Sequence, residues 1–422
     1  MTLDYTDFFI FVNHKRFLKN QFINYKTKIM KIKSLFIVVC AVVLTFNSGA
    51  TEKNRVKLPG IVDGKLFAAN IESISVMNLQ MDDDWVFSND LEINIANNYI
   101  YFFEGGQTRL ISFDSKTGGK LSSRTIKGRG PGEINGLNSM FCFGDTLCIQ
   151  DTWNRVLCYD RNCKFLSILH EFEAKGLKQH ILRLNNGKYA QIWLTRLPSD
   201  TEQSAIILTD KSFKTISTHF ETPKDNVYIY PADGKPYIAN NDTIRFFFPC
   251  DNHLYSLCGN TEQCTELALP NPLTPQIIIK MIKSTGQIEK MYDYDGFFGG
   301  LGESGRFLFF KYQMGKNNYI SMFDKHTNSA VSIKSDDDDN LVNNIIRHSV
   351  VSITDGKFIY ALCRNSDLAK YLEGHDAKLN ACLKQTQAEY RAFLERNANY
   401  IKGLEPEERE VANVLLKIKL KD

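Results

Sequence analysis

The chain of 422 residues lacks most of the features that announce a chemistry. Its 10 cysteines form no Cys-x-x-Cys pair, and its 8 histidines form no His-x-x-x-His or His-Glu-x-x-His pair. A structural zinc site and a helical zinc-protease site therefore have no sequence support. Charge of one sign is also missing. Lys and Arg number 51 against 48 Asp and Glu, a net of +3, so no electrostatic case exists for a nucleic-acid partner. Long apolar runs are absent: the longest, residues 35–46, is too short to span a bilayer comfortably. Helical periodicity is nearly absent before residue 376. What is abundant is Phe (29) and Tyr (18), residues that pack well on half-buried strands.

The short apolar run is an address. Lys31 and Lys33 precede it, and Ser48-Gly49-Ala50 follows with small residues at the positions a signal peptidase reads. Residues 30–50 are thus expected to be a secretory signal peptide. Residues 1–29 read as an extended leader or a start assigned too early, with Met30 the true start. Cys40 sits inside the apolar run, flanked by Val39 and Ala41, and does not fit a lipid-attachment site. Residues 1–50 carry seven of the basic and two of the acidic side chains, so the remainder has a net charge of −2. No transmembrane segment is expected in the mature chain, residues 51–422.

That remainder repeats one unit. Asn98-Tyr99-Ile100-Tyr101-Phe102-Phe103, a Gly105-Gly106 turn, and Leu110-Ile111-Ser112-Phe113-Asp114 read as strand, turn, strand ending in Asp. Comparable units start near 97, 144, 186, 241, 305 and 355. The spacing suits four-stranded blades of about 40–50 residues with insertions. One blade cannot bury both its faces, so six copies must pack radially. The expected fold is all-β: a six-bladed β-propeller filling residues 51–422. A helix over about 376–403, with Lys384, Gln387, Arg391 and Glu395 outward, precedes a closing strand at 411–420. Residues 71–79 are the candidate partner strand from the other end.

Gly128-Arg129-Gly130-Pro131-Gly132-Glu133 follows the first unit. In this setting the chain resembles the exported six-bladed, TolB-like β-propellers of Bacteroides-type Gram-negative bacteria. The resemblance implies a fold and a compartment, periplasm or cell surface. It implies no chemistry, because most members have no assigned activity. The chain departs from the pattern in its cysteine count and in the insertion between blades four and five. The glycines of the motif are not a phosphate loop, since no Lys-Ser/Thr follows.

Candidate ligand-binding residues are few. Arg129 and Glu133 either pair within a tight blade-to-blade path or face a ligand. His180 lies near a blade boundary, and Asp293 and Asp295 lie in an aromatic-acidic loop. Asp82-Asp83-Asp84 and Asp336-Asp337-Asp338-Asp339 lack calcium-loop spacing and read as solvated loops. In an antiparallel meander Cys148, Cys158 and Cys163 lie side by side on three strands, where only one pair among them can bond; Cys158, Cys163, Cys258 and Cys264 are the candidate disulfide cysteines, the alternative being that most of the cysteines are buried small apolar residues. No catalytic residue, metal site or cofactor is assigned. The reading is an exported binding or scaffold protein that uses a propeller face for a protein, peptide or glycan. The alternative is a metal-dependent hydrolase or lyase in the central channel. His, Asn or carboxylates converging there would favour the enzyme; an apolar or Lys/Arg-lined channel would favour binding.

Overall fold

The computed structural model describes residues 55–81, 91–96, 98–172, 180–194, 203–222, 235–248, 251–284, 288–334, 340–373 and 380–421. The leader, the signal segment, Cys40 and both Asp runs lie outside the described residues. Six sheets follow one another along the chain, each a meander of antiparallel strands. They span 91–125, 137–171, 180–222, 237–268, 296–334, and 349–364 with 413–420, and are numbered here as blades 1 to 6.

The middle strands carry the core. In blade 1 every residue of Tyr99–Glu104 is buried, because neighbouring sheets cover both faces. The units legible in the sequence correspond to these second and third strands. The first strand of each blade lies nearest the axis and escaped the sequence pattern. In blade 5 it is Gly296–Ser304, whose four glycines and register shifts hide a strand among apparent loop residues.

The recurrent Asp has a local job. Oδ1 of Asp114, Asp160, Asp210 and Asp324 accepts from backbone N–H groups just beyond it: Thr117 (2.7 Å), Asn162 (2.9 Å), Ser212 (2.9 Å) and His326 (2.9 Å). Each carboxylate shapes the turn between third and fourth strands. Hydrogen bonds from Thr117 to Asp114, and from Ser212 to Asp210, hold these carboxyls below the ordinary Asp range.

The ring is closed by both ends of the described chain. Asn413–Leu420 pairs with Ile359–Arg364 on one side and with Ile71–Val76 on the other. Before reaching blade 6, the N-terminal segment adds Arg55–Lys57 in parallel to the outer strand of blade 4, and Ile61–Val62 to that of blade 5. Among the described residues, four helices lie between the second and third strands of blade 6: Asn365–Leu372, Ala381–Arg396, Ala398–Gly403 and Pro406–Val411. The expected single helix is therefore broken at Asn397, which caps the strand segment instead, accepting from Met81 N (2.7 Å) and donating to Leu79 O (2.9 Å). Ala381–Arg396 covers the edge of Ile71–Val76: Thr386 Oγ1 donates to Ile74 O (2.6 Å), and Glu389 accepts from Val76 N (2.8 Å). Gln387, expected outward, is buried and donates to Leu372 O at 2.6 Å. Its neighbours are protein on both sides because Asn365–Leu372 packs where solvent was expected.

The Gly-rich motif is the connection from blade 1 to blade 2. Glu133 folds back so that its Oε2 accepts from Gly130 N at 2.8 Å, and Arg155 Nη2 and Tyr159 OH clamp the carbonyls of Glu133 (2.8 Å) and Gly132 (3.1 Å). Gly132 has φ +75°, and a Cβ there would stand 2.4 Å from Phe165.

Three substitutions test this packing. Leu416→Ala, at a fully buried position of the closing strand, should lower unfolding free energy by about 2–5 kcal/mol in urea titration. Gly132→Ala should cost about 2–4 kcal/mol, from backbone strain and the collision with Phe165. Gly144→Ala, also at positive φ but facing open space, should cost only about 1–2 kcal/mol in the same titration.

Candidate functional site

The first strands of the six blades surround an axial cavity of about 160 Å³. Every blade contributes at least one apolar side chain to it, among them Ile95, Met140, Leu182, Ile238, Leu301 and Ile353. Together they form a collar. Polar groups near the collar are mostly consumed by the framework. Asn94 Nδ2 donates to Met140 O at 2.9 Å, and Thr354 Oγ1 donates to Glu303 O.

Two charged side chains line the cavity, Arg183 and Lys235. Lys235 just precedes the first strand of blade 4, and its Nζ lies 3.0 Å from Oε2 of Glu92, near the start of the first strand of blade 1. Those blades face each other across the ring, so this ion pair bars the channel at the end where the inner strands begin. Arg183 is different. It ends the inner strand His180–Arg183, and its guanidinium lies 3.8 Å over the ring of Phe143, which ends the inner strand of blade 2. Among the described residues no carboxylate pairs with it. The opposite opening thus presents a positioned, unneutralised cation on an aromatic platform.

The residues singled out from sequence lie elsewhere. Glu133 is committed to the backbone of its own loop, and Arg129 is exposed with its guanidinium 6.0 Å from the Trp153 ring, so the two do not pair. His180 Nδ1 meets Tyr237 OH at 3.1 Å, latching blade 3 to blade 4. Asp295 is buried and accepts from Asn271 N (2.8 Å) and Gly315 N (2.6 Å), tying the blade 4–5 connection to a hairpin, while Asp293 is exposed. No described contact joins these three places. Arg183 was missed because its only sequence signal is a basic residue at a strand end.

The cysteine reading is corrected. Cys158 faces Cys148 across two strands, Sγ to Sγ 3.4 Å, whereas Cys163 sits in the turn that follows at φ +57°. The Gly259-Asn260 turn pairs Cys258 with Thr261, leaving Cys264 opposite Tyr255 and out of reach of Cys258. All four candidates are free thiols.

A second cleft, about 460 Å³, opens beside the outer strands of blades 3 and 4. Asp251 holds His253 Nδ1 (2.6 Å) and Tyr255 OH (2.7 Å), and its carboxylate raises the His253 pKa. Glu262 is spent on His219 Nδ1 and Phe220 N, both at 3.1 Å. Among the described residues no hydroxyl or thiol is hydrogen-bonded to His253, so the arrangement has an oriented imidazole without a nucleophile beside it. No three His, Cys, Asp or Glu side chains among the described residues gather around one metal position.

No curated protein matches the sequence. Among solved structures, a Bacteroides fragilis protein to which export is ascribed is 17% identical, with a TM-score of 0.60 over 87% of this chain and 99% of its own. BamB from Moraxella catarrhalis is 10% identical, with a TM-score of 0.31 over 62% of this chain and 69% of its own. The computationally designed Ika8 protein is 11% identical, with a TM-score of 0.31 over 56% and 58%. The first of these shares the fold with this chain. A family model described as 6-bladed beta-propeller matches residues 47–361, and the chain belongs to that family.

Proposed function

We propose that this chain is an exported binding protein of the periplasm or cell surface of a Gram-negative bacterium. It takes part of a protein, peptide or glycan ligand into the axial channel. The observation that carries this is the collar, to which all six blades contribute around a cavity of about 160 Å³. A concave, mostly apolar space with a few fixed polar groups is the general form of a small-ligand site. The signal-like residues 30–50 support export, as does the ascription of export to the Bacteroides fragilis protein of the same fold. The channel's charges are Arg183 and Lys235 rather than converging His and carboxylates, which is the lining expected of a binding site.

Filling the collar tests the reading. Ligands that bind the folded state raise the melting temperature. Pools of peptides and oligosaccharides should include some that stabilise the wild type and leave Leu301→Trp unmoved. Ala239→Leu, a smaller intrusion into the same cavity, serves should the indole unseat blade 5. Stabilisation that survives in both variants would contradict a channel site. EDTA, calcium, magnesium, manganese and zinc should each leave the melting temperature in place. A metal-dependent rise reversed by EDTA would instead move the channel hydrolase or lyase to the front.

A further inference from the structure

The collar and the cation select a ligand chemistry, an argument that rests on the channel being the binding site. Lys235 is neutralised by Glu92, so the net charge offered to a ligand is the single one on Arg183. Among the described residues the one carboxylate at the cavity's far end, Glu92, is held by Lys235, and none lines the space around Arg183. An amine or guanidinium entering it would meet like charge and find no counter-ion. An uncharged ligand would displace water from Arg183 and return nothing to it. A planar carboxylate, by contrast, accepts two parallel N–H bonds from a guanidinium fork, and the bond is charge-assisted in a site shielded by apolar walls. Phe143, 47% exposed, holds the fork at the rim by stacking on its face. Beyond the rim the walls are the six collar side chains with Phe141, Cys142, Tyr237 and Ala239, and the polar Asn94 and Thr354 there already donate to the carbonyls of Met140 and Glu303. A polar body, such as a hydroxylated ring, would lose its water there without replacement hydrogen bonds.

We propose that the channel receives an organic monocarboxylate carried on an apolar body, entering past Phe143 and Arg183. The carboxylate seats on Arg183, and the apolar group enters the collar. The ion pair of Glu92 and Lys235 forms the far wall. A peptide ending in an aliphatic residue presents this chemistry, with its free C-terminal carboxylate beside an apolar side chain.

N-acetyl-leucine is the probe for that end group, with calorimetric titration and thermal melting of the full chain as readouts. It should bind the wild type. N-acetyl-leucinamide keeps the body and loses the charge; glucuronate keeps the charge and replaces the body by hydroxyls. Neither should bind measurably at the same concentrations. Arg183→Gln should weaken N-acetyl-leucine at least about tenfold, the loss expected for a charge-assisted pair. Arg183→Lys, which keeps the charge and loses the fork, should fall between. Amide binding equal to acid binding, or Arg183→Gln binding as tightly as the wild type, would overturn the carboxylate assignment while leaving the channel in place. Acid binding that persists in Leu301→Trp and Ala239→Leu would remove the channel itself. No binding of the acid to a folded wild type would overturn the proposal outright.

Discussion

One pairing holds the architecture together: Asn413–Leu420 lies between Ile359–Arg364 and Ile71–Val76. A propeller is a ring of sheets, each of which buries its faces only against two neighbours. An unclosed ring would leave a blade face and a strand edge open. Here the outermost strand of the last blade comes from the start of the described chain, so 350 residues of contour are fixed by one ladder. Seams between neighbouring blades carry further bonds. Tyr101 OH reaches Asp145 O at 3.0 Å, Ser139 Oγ accepts from Ile181 N at 3.0 Å, Arg245 pairs with Glu303 at 2.6 Å, and Ser304 Oγ reaches Lys357 O at 2.6 Å. The exposed edge that closure would leave on Ile71–Val76 is covered by Ala381–Arg396 through Thr386 and Glu389. Covering an edge strand removes a template for unwanted pairing.

The channel follows from the same constraint. Six inner strands held at one radius must meet at an axis, and their side chains either fill it or line it. Met140, Ile238 and Leu301 are buried; Ile95, Leu182 and Ile353 are partly so. The space left is small and asymmetric, closed by charge at one end and presenting Arg183 at the other. A rigid frame that positions a few groups in a concave site is how propellers host varied ligands, and the fold alone assigns none. The assignment rests on Arg183, Phe143 and the collar.

The fold was legible because its signals are local. Tyr, Phe and Ile alternate in the twice-covered strands, and Asp114, Asp160, Asp210 and Asp324 mark turns by hydrogen bonds made within four residues. The closing strand showed as a strong β-run, and residues 71–79 as its candidate N-terminal partner. Asn365–Leu372 and Pro406–Val411 were not legible, being six to eight residues long and held by tertiary contacts. The collar was illegible for a different reason. Its six members are separated by tens of residues, lie in strands of four to nine residues, and share no local period. Glu133 and Asp295 drew notice as charged residues in loops, yet both are spent on backbone N–H groups, a role that a spacing argument cannot tell from ligand binding. The cysteine pairings failed on register, because the turn at Gly259-Asn260 sets which residues face each other.

Closure makes a direct demand on local stability. If the ladder between 71–76 and 416–420 is what the ring depends on, opening it should require unfolding the whole propeller. Hydrogen exchange of the full chain, followed peptide by peptide under native conditions, measures this. The account predicts that amides of both strands exchange as slowly as those of Tyr99–Glu104 and with the same denaturant dependence, as members of one cooperative unit. Exchange of the 71–76 amides well ahead of the inner blades, with the rest of the ring still protected, would contradict it.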